Sequence, residues 1–343
     1  MKRLLAAVIA ALAVGVVAVA VASSPLGSSG GPNKMSYIVV PHPDDETQAW
    51  SLIEDSTGNY KVFIMLTRGE QSYYCGSPGY DEGTGEAAPD PWPEGKWTPT
   101  CEQARMNSFF DFMAAMALTD DALPASFTYG GVKGPFDALG TEVCRYDVGD
   151  CVADLGAEVW TSPIAAVVWF NLGDGDVTTE EVEWAVTTVR DNRAELGIND
   201  SLRNHNLIGA SYWNGGPDGG PGGGADGGSD DGPDGGANGS YPDCSDYAHP
   251  DHGAVHKALW QTDFEVGYQA VATCATDPDV TRREEVSLAH FDDAFKTSGA
   301  MPLGAHPVHY GWLLDGNPGY YQGDYDGQAT DFHRHQTFWV RFK

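Results

Sequence analysis

The chain has 343 residues, 41% of them hydrophobic, and its 49 acidic against 19 basic side chains leave a formal net charge of −30. That much apolar residue can bury the core of one large domain or two small ones. The acidity argues against a nucleic-acid backbone or an anionic membrane surface as partner, and bears on solubility rather than fold.

In chain order, Lys2 and Arg3 precede a run of Ala, Val, Leu, Ile and Gly over 4–21, and Ala20-Val21-Ala22 offers a small-residue cleavage site before Ser23. This is the pattern of an export signal over 1–22, after whose removal the chain is secreted with no membrane contact. The run also matches a bilayer in length, so an uncleaved N-terminal anchor, with the rest of the chain outside, is the alternative. Residues 23–34 form a Ser/Gly/Pro tether, and 35–343 is expected to be one α/β domain. Within it, 36–40 (SYIVV) and 60–67 (YKVFIMLT) are expected as buried strands with a helix-length stretch between them, a βαβ unit. Residues 76–100 are rich in Gly, Pro, Asp and Glu and predict a long loop insertion. A helix follows over 102–118, then a third buried strand over 164–172 (IAAVVWFNL). The acidic first turn at 178 opens a second helix running to 196, and 205–213 could form a further strand.

The composition then changes. Residues 215–240, GGPDGGPGGGADGGSDDGPDGGANGS, hold almost no side chain able to pack and predict a flexible loop. The repeated Gly and Asp raise Ca2+ binding as an alternative, against which stands the absence of the large apolar residue that recurs in calcium repeats. A C-terminal extension from about 276 ends in an alternating strand over 337–342 (TFWVRF). Strands alternating with helices predict an α/β fold: a Rossmann-like open, mostly parallel sheet flanked by helices, with long loop insertions. The six cysteines contain no CxxC pair, so an oxidised framework is expected, with sequential pairing Cys75–Cys101, Cys144–Cys151 and Cys244–Cys274 as the working guess among fifteen connectivities.

Two stretches carry the chemistry. Pro41–Glu46 reads PHPDDE directly after the first strand, which puts His42, Asp44 and Asp45 in a strand-to-helix turn, at the carboxyl edge where ligands of open α/β sheets bind. The acids alone could merely complement a helix N-terminus, but that does not account for His42. The second stretch, YAHPDHGAVH over 247–256, sets His249, His252 and His256 around Asp251, and a helix starting near Pro250 would place His252 and His256 four apart on one face, able to chelate. Together the two turns can supply the three protein ligands of an open metal site.

PHPDDE, LTRGE (Leu66 to Glu70) and HPDH (His249 to His252), in that chain order, resemble the signatures of the PIG-L/LmbE-type zinc-dependent N-acetylglucosaminyl deacetylases. The resemblance implies one Zn2+ per chain held by His42, Asp45 and His252, with Asp44 as general base. It further implies His249 as transition-state stabiliser or proton donor, Asp251 as its orienting partner, and Tyr247 as a donor to the developing oxyanion. Arg68 and Glu70 would grip a sugar or pair with each other. The chain departs from the family where Gln48-Ala49-Trp50 replaces small residues, where Ser108 stands three after Arg105, and in the glycine loop before HPDH. Tyr73, Tyr74, Tyr80, Trp92 and Trp97, in and beside the Cys75–Cys101 segment, could stack on sugars or pack the loop. His306, His309, His333 and His335 are read as surface or packing residues.

The function these readings predict is removal of N-acetyl groups from an amino sugar, an N-acetylglucosamine-type oligosaccharide or envelope polysaccharide. A zinc amidase acting on another acylated amine, or a non-catalytic carbohydrate-binding protein on the same scaffold, are the alternatives.

Overall fold

The structure, a computed structural model, describes residues 31–71, 95–118, 120–137, 143–144, 151–152, 154–213, 249–273, 281–285 and 335–343. The export signal, most of the tether, most of the first insertion, the glycine loop, Tyr247 and most of the C-terminal extension lie outside them.

The first strand, β1 (Lys34–Val40), leads into a 3-10 turn (Asp45–Ala49) and a short helix α1 (Trp50–Asp55), then β2 (Asn59–Met65). Helix α2 (Pro99–Met116) is followed by β3 (Thr128–Asp137), the two-residue strands β4 (Val143–Cys144) and β5 (Cys151–Val152), β6 (Asp154–Thr161) and β7 (Ala165–Trp169). Helix α3 (Thr179–Asp191), β8 (Arg203–Gly209), α4 (Pro250–Gln261), β9 (Tyr268–Thr273), β10 (Thr281–Glu285) and β11 (His335–Phe342) complete the described elements.

Nine strands form one sheet in the order β10-β11-β9-β8-β1-β2-β7-β6-β3. The five central strands from β9 to β7 are parallel, and antiparallel pairs flank them on both sides. The fold is therefore α/β with a mixed sheet whose centre is parallel. β2 and β7 extend from β1 on one side, β8 and β9 on the other. The order of the chain thus reverses between β1 and β8, and the crevice at the carboxyl ends of those two strands is where such sheets bind ligands.

The alternation of side chains along each strand assigns the two faces. Met35, Tyr37 and Val39 pack with Val182, Val186, Val189, Val255 and Leu259 of α3 and α4. Ile38 and Val40 face the other way, with Trp50 and Ile53 of α1 and Met106, Phe109 and Met113 of α2. With helices on both faces, the central strands are apolar on both, which is why they read as unbroken hydrophobic runs. α3 begins with a capping box: the Thr178 hydroxyl accepts from Glu181 N–H at 3.2 Å, and the Glu181 carboxylate accepts from Thr178 N–H at 2.7 Å.

Sequence pattern located every strand of the parallel centre except β9. It overextended the helix at 178–196, which ends at Asp191. The helix-length stretch after β1 is a 3-10 turn plus six helical residues rather than one helix. It also missed β3 and β6. β3, TYGGVKGPFD, holds three glycines and a proline that read as loop, and it tolerates them as an edge strand whose pairing with β6 shifts register twice. β4 and β5 pair in a small separate ladder with Cys144 opposite Cys151. Cys101 is disulfide-bonded, and its expected partner Cys75 lies outside the described residues, as do Cys244 and Cys274. No helix among the described residues is long and apolar enough to cross a membrane.

Candidate metal centre

Beyond Val40 the chain enters a tight turn in which Asp44 takes the left-handed conformation, φ 116°. An ordinary residue reaches that region at a cost of order 1–3 kcal/mol, so the surroundings must hold it there. Asp44 N–H donates to the Glu46 carboxylate at 2.9 Å, and the Thr47 hydroxyl donates to Asp44 C=O at 2.8 Å. This kink carries Asp44 and Asp45 in different directions from adjacent positions.

Asp45 meets both histidine clusters. Its Oδ2 is 2.9 Å from His42 Nδ1 and 3.2 Å from His252 Nε2, and all three side chains are buried. Each of them is also gripped on its far side. The Gln48 amide donates to Asp45 Oδ1 at 2.7 Å, and Gln48 Oε1 is itself fixed by Tyr212 N–H at 2.7 Å. His252 Nδ1 lies 2.8 Å from Tyr212 C=O, an acceptor only, so the ring proton sits on Nδ1 and Nε2 presents its lone pair inward. His42 Nε2 lies 2.9 Å from Asp251 and 3.1 Å from Asp174, two carboxylates that hold the proton on that nitrogen and turn Nδ1 toward Asp45. One carboxylate oxygen and two imidazole nitrogens thus converge, with their outward atoms all committed.

That donor set fits a divalent transition metal. Donors around a tetrahedral zinc stand about 3.3 Å apart for bonds of about 2.0–2.1 Å. The Asp45–His42 and Asp45–His252 pairs, at 2.9 and 3.2 Å, need to open by only a few tenths of an ångström. His42, Asp45 and His252 could hold a metal ion, and so could a second group of His42, Asp174, His249 and Asp251. The two share His42 through opposite ring nitrogens. The carboxylates of the second group are partly spent on backbone: Asp251 accepts from Gly175 N–H at 2.9 Å and Val177 N–H at 3.0 Å, and Asp174 from Gln71 N–H at 2.7 Å. The first group is therefore the better cage, and the second supports it.

Electrostatics follow from this packing. Burial opposes charge on His42, but Asp174, Asp251 and Asp45 outweigh it and hold its pKa well above the usual value. Burial likewise opposes the Asp45 carboxylate, yet His252 and His42 hold it far below the ordinary range. Asp174, buried but facing His42, is lowered to about 2. Asp44 behaves oppositely: burial pushes it well above the ordinary range, resisted by Arg105 at 3.2 Å and reinforced by Asp45 and Glu46. His249 is lowered to about 4 by burial and by its neighbours His42 and His252.

The structure brings together six of the predicted site residues, His42, Asp44, Asp45, His249, Asp251 and His252, and sets behind them Gln48 of the departing QAW segment, which was not among them. Tyr247 lies outside the described residues. His256 does not chelate with His252: its Nε2 is 2.6 Å from Ser211 C=O and 2.9 Å from Ala272 C=O, a buried structural bridge between the segment just past β8 and β9. Arg68 pairs with Glu158 at 2.6 Å and with Glu102 at 3.8 Å, and the buried Glu70 accepts from Arg68 N–H at 3.2 Å. The Arg68 guanidinium is thus engaged by carboxylates of the protein, and the Glu70 carboxylate by a backbone N–H. Sequence reasoning missed Asp174 and the role of Arg105. Asp174 follows buried β7 within NLGDGD, at the same carboxyl edge, and that placement was its available signal. Arg105 lies over Gly69, where a Cβ would stand 2.3 Å from its Nε, and donates to Pro43 C=O beside Asp44.

Compared with known proteins, the sequence matches no family model and no curated protein.

Proposed function

We propose that this chain is an exported zinc-dependent hydrolase that removes N-acetyl groups from an amino sugar, of the N-acetylglucosamine-type oligosaccharide or envelope-polysaccharide class, on a Rossmann-like sheet. One observation carries the reading: His42, Asp45 and His252 each point one donor atom inward while a non-metal partner fixes the outward one. Such an arrangement of lone pairs is repulsive unless a cation or an extra proton occupies it. The disulfide at Cys101 suits an oxidising compartment outside the cell.

Zinc, when bound, supplies a water of lowered pKa and polarises an acyl carbonyl. Asp44 stands beside the three ligands without joining them, so its carboxylate is free to take the proton of the attacking water. It can then return that proton to the departing amine nitrogen. Arg105 holds Asp44 in place. His249, neutral at physiological pH, offers a ring nitrogen to the reacting group, with Asp174 and Asp251 each 3.8 Å away to steady an imidazolium if it forms. Tyr247, two residues earlier, is assigned the oxyanion donor by the family resemblance.

The test is elemental analysis of the mature chain together with acetate release from N-acetylated chitooligosaccharides. One metal per chain, lost in Asp45→Ala, with acetate release that tracks the metal, is the expected result. A wild-type chain that takes up no zinc sinks the proposal. Zinc uptake with hydrolysis confined to non-sugar amides replaces the deacetylase by the amidase.

A further inference from the structure

The 3-10 turn that carries Asp45 is broken from helix α1 at one place. In a continuous helix Ser51 N–H would donate to Thr47 C=O, four residues back. It does not. The carboxamide of Gln336 sits between them: Ser51 N–H donates to Gln336 Oε1 at 2.9 Å, and Gln336 Nε2 donates to Thr47 C=O at 2.5 Å. The orientation of the amide is unambiguous, because the reverse would set its NH2 against an N–H and its oxygen against a carbonyl. Gln336 is fully buried, and 285 residues separate it from Ser51.

Topology explains how it arrives there. β11 runs antiparallel to β9, with Thr337 opposite Thr273 at the last residue of β9. The beginning of β11 therefore lies at the carboxyl ends of the parallel strands, the edge where the metal centre is built. Thr47 C=O also accepts the 3-10 bond from Trp50 N–H, so Gln336 and that bond together keep the turn tight. The turn holds Asp45 and, three residues on, the Gln48 whose amide orients the Asp45 carboxylate. Were Ser51 to recover its helical bond, the turn would rewind from 3-10 toward α-helix. Asp45 and Gln48 would then rotate relative to one another, since successive residues advance by about 120° in one helix and about 100° in the other.

We infer that Gln336 is a positioning residue of the metal centre: its side-chain amide replaces one backbone hydrogen bond and so locks the ligand-bearing turn in the form that binds metal. This rests on the zinc reading above. It also makes the C-terminal strand part of the site.

The experiment measures zinc affinity of the full chain by chelator competition, and the Co2+ absorption spectrum, for wild type, Gln336→Met and Gln336→Glu. Met keeps the volume and loses both hydrogen bonds. Glu keeps the acceptor for Ser51 N–H and loses the donor to Thr47. Thermal melting of the metal-free forms runs in parallel. Expected are a 10–100-fold weaker zinc affinity for Met, the range for losing a group that orients a ligand, a smaller loss for Glu, and an altered Co2+ spectrum in both. If Met does not fold, Glu alone decides. Variants that melt lower yet bind zinc with wild-type affinity and give the wild-type Co2+ spectrum would overturn the inference, leaving Gln336 a packing residue. A wild-type chain that binds no zinc would instead overturn the metal reading beneath it.

Discussion

Asp44→Asn separates the roles of two adjacent carboxylates. Asn has the same shape, tolerates the left-handed backbone at this position, and keeps the backbone N–H bond to Glu46. It still offers Arg105 a carbonyl oxygen, and Arg105 retains Pro43 C=O, so the loss in folding stability should stay at about 1–2 kcal/mol. What Asn cannot do is accept the proton of the attacking water. Loss of a positioned general base lowers rate about 10²–10⁴-fold, or about 2.7–5.4 kcal/mol of barrier. Metal affinity should hardly change, because no atom of Asp44 belongs to the ligand set. The assay is acetate release at saturating substrate, with zinc content measured on the same preparation. A variant that retains zinc and more than a tenth of wild-type turnover would refute Asp44 as the base. One that loses zinc would show that Asp44 is a ligand.

Gly69→Ala should remove Arg105 from its seat, since φ is +62° there and the new methyl would overlap the guanidinium; we expect about 1–2 kcal/mol lower stability, and a loss of acetate release that leaves zinc affinity intact, read by melting and turnover. Removing zinc with a chelator should lower the melting temperature, because an ion held by His42, Asp45 and His252 would tie the turn after β1 to the start of α4. Free zinc at 100 times its dissociation constant should restore about 2.7 kcal/mol, and melting unchanged by zinc would contradict the site. Lys61 offers a pH test. Burial lowers its pKa from 10.5 to about 8, although its ammonium donates to Ser56 and Ala122 C=O, both at 3.1 Å. A depressed folded-state pKa means the unfolded chain binds more protons between the two values, so stability rises with pH from about 8 to about 10.5. The rise amounts to about 3 kcal/mol if fully expressed, and it should appear as a difference between wild type and Lys61→Met in denaturant titrations from pH 7 to 10. Parallel curves would refute it.

Much of this molecule was legible in the chain because the signals were local. β1, β2 and β7 are apolar on both faces and stand out as runs, and PHPDDE follows β1 at the one kind of place where an α/β sheet presents side chains to a ligand. The two imidazoles and the carboxylate of HPDH lie within one helical turn, so their grouping needed only the start of α4 to be recognised. Strand β3 escaped because edge pairing tolerates the glycines, proline and bulges that pattern reading takes for a loop. His256 misled because spacing on a helix says which residues share a face but not what that face meets, here the carbonyls of Ser211, just past β8, and of Ala272 in β9.

The sequence by itself determined the α/β class, the turn after β1 and the His and Asp donors of a candidate metal site, since each half of that site is written in residues a few positions apart. Only the tertiary structure decided which atoms of those residues face inward. That choice depends on Asp174 from the end of β7, the Tyr212 carbonyl beyond β8, Arg105 from α2 and Gln336 from the last strand. Their distance along the chain is erased by the order of strands in the sheet, and no local pattern records that order.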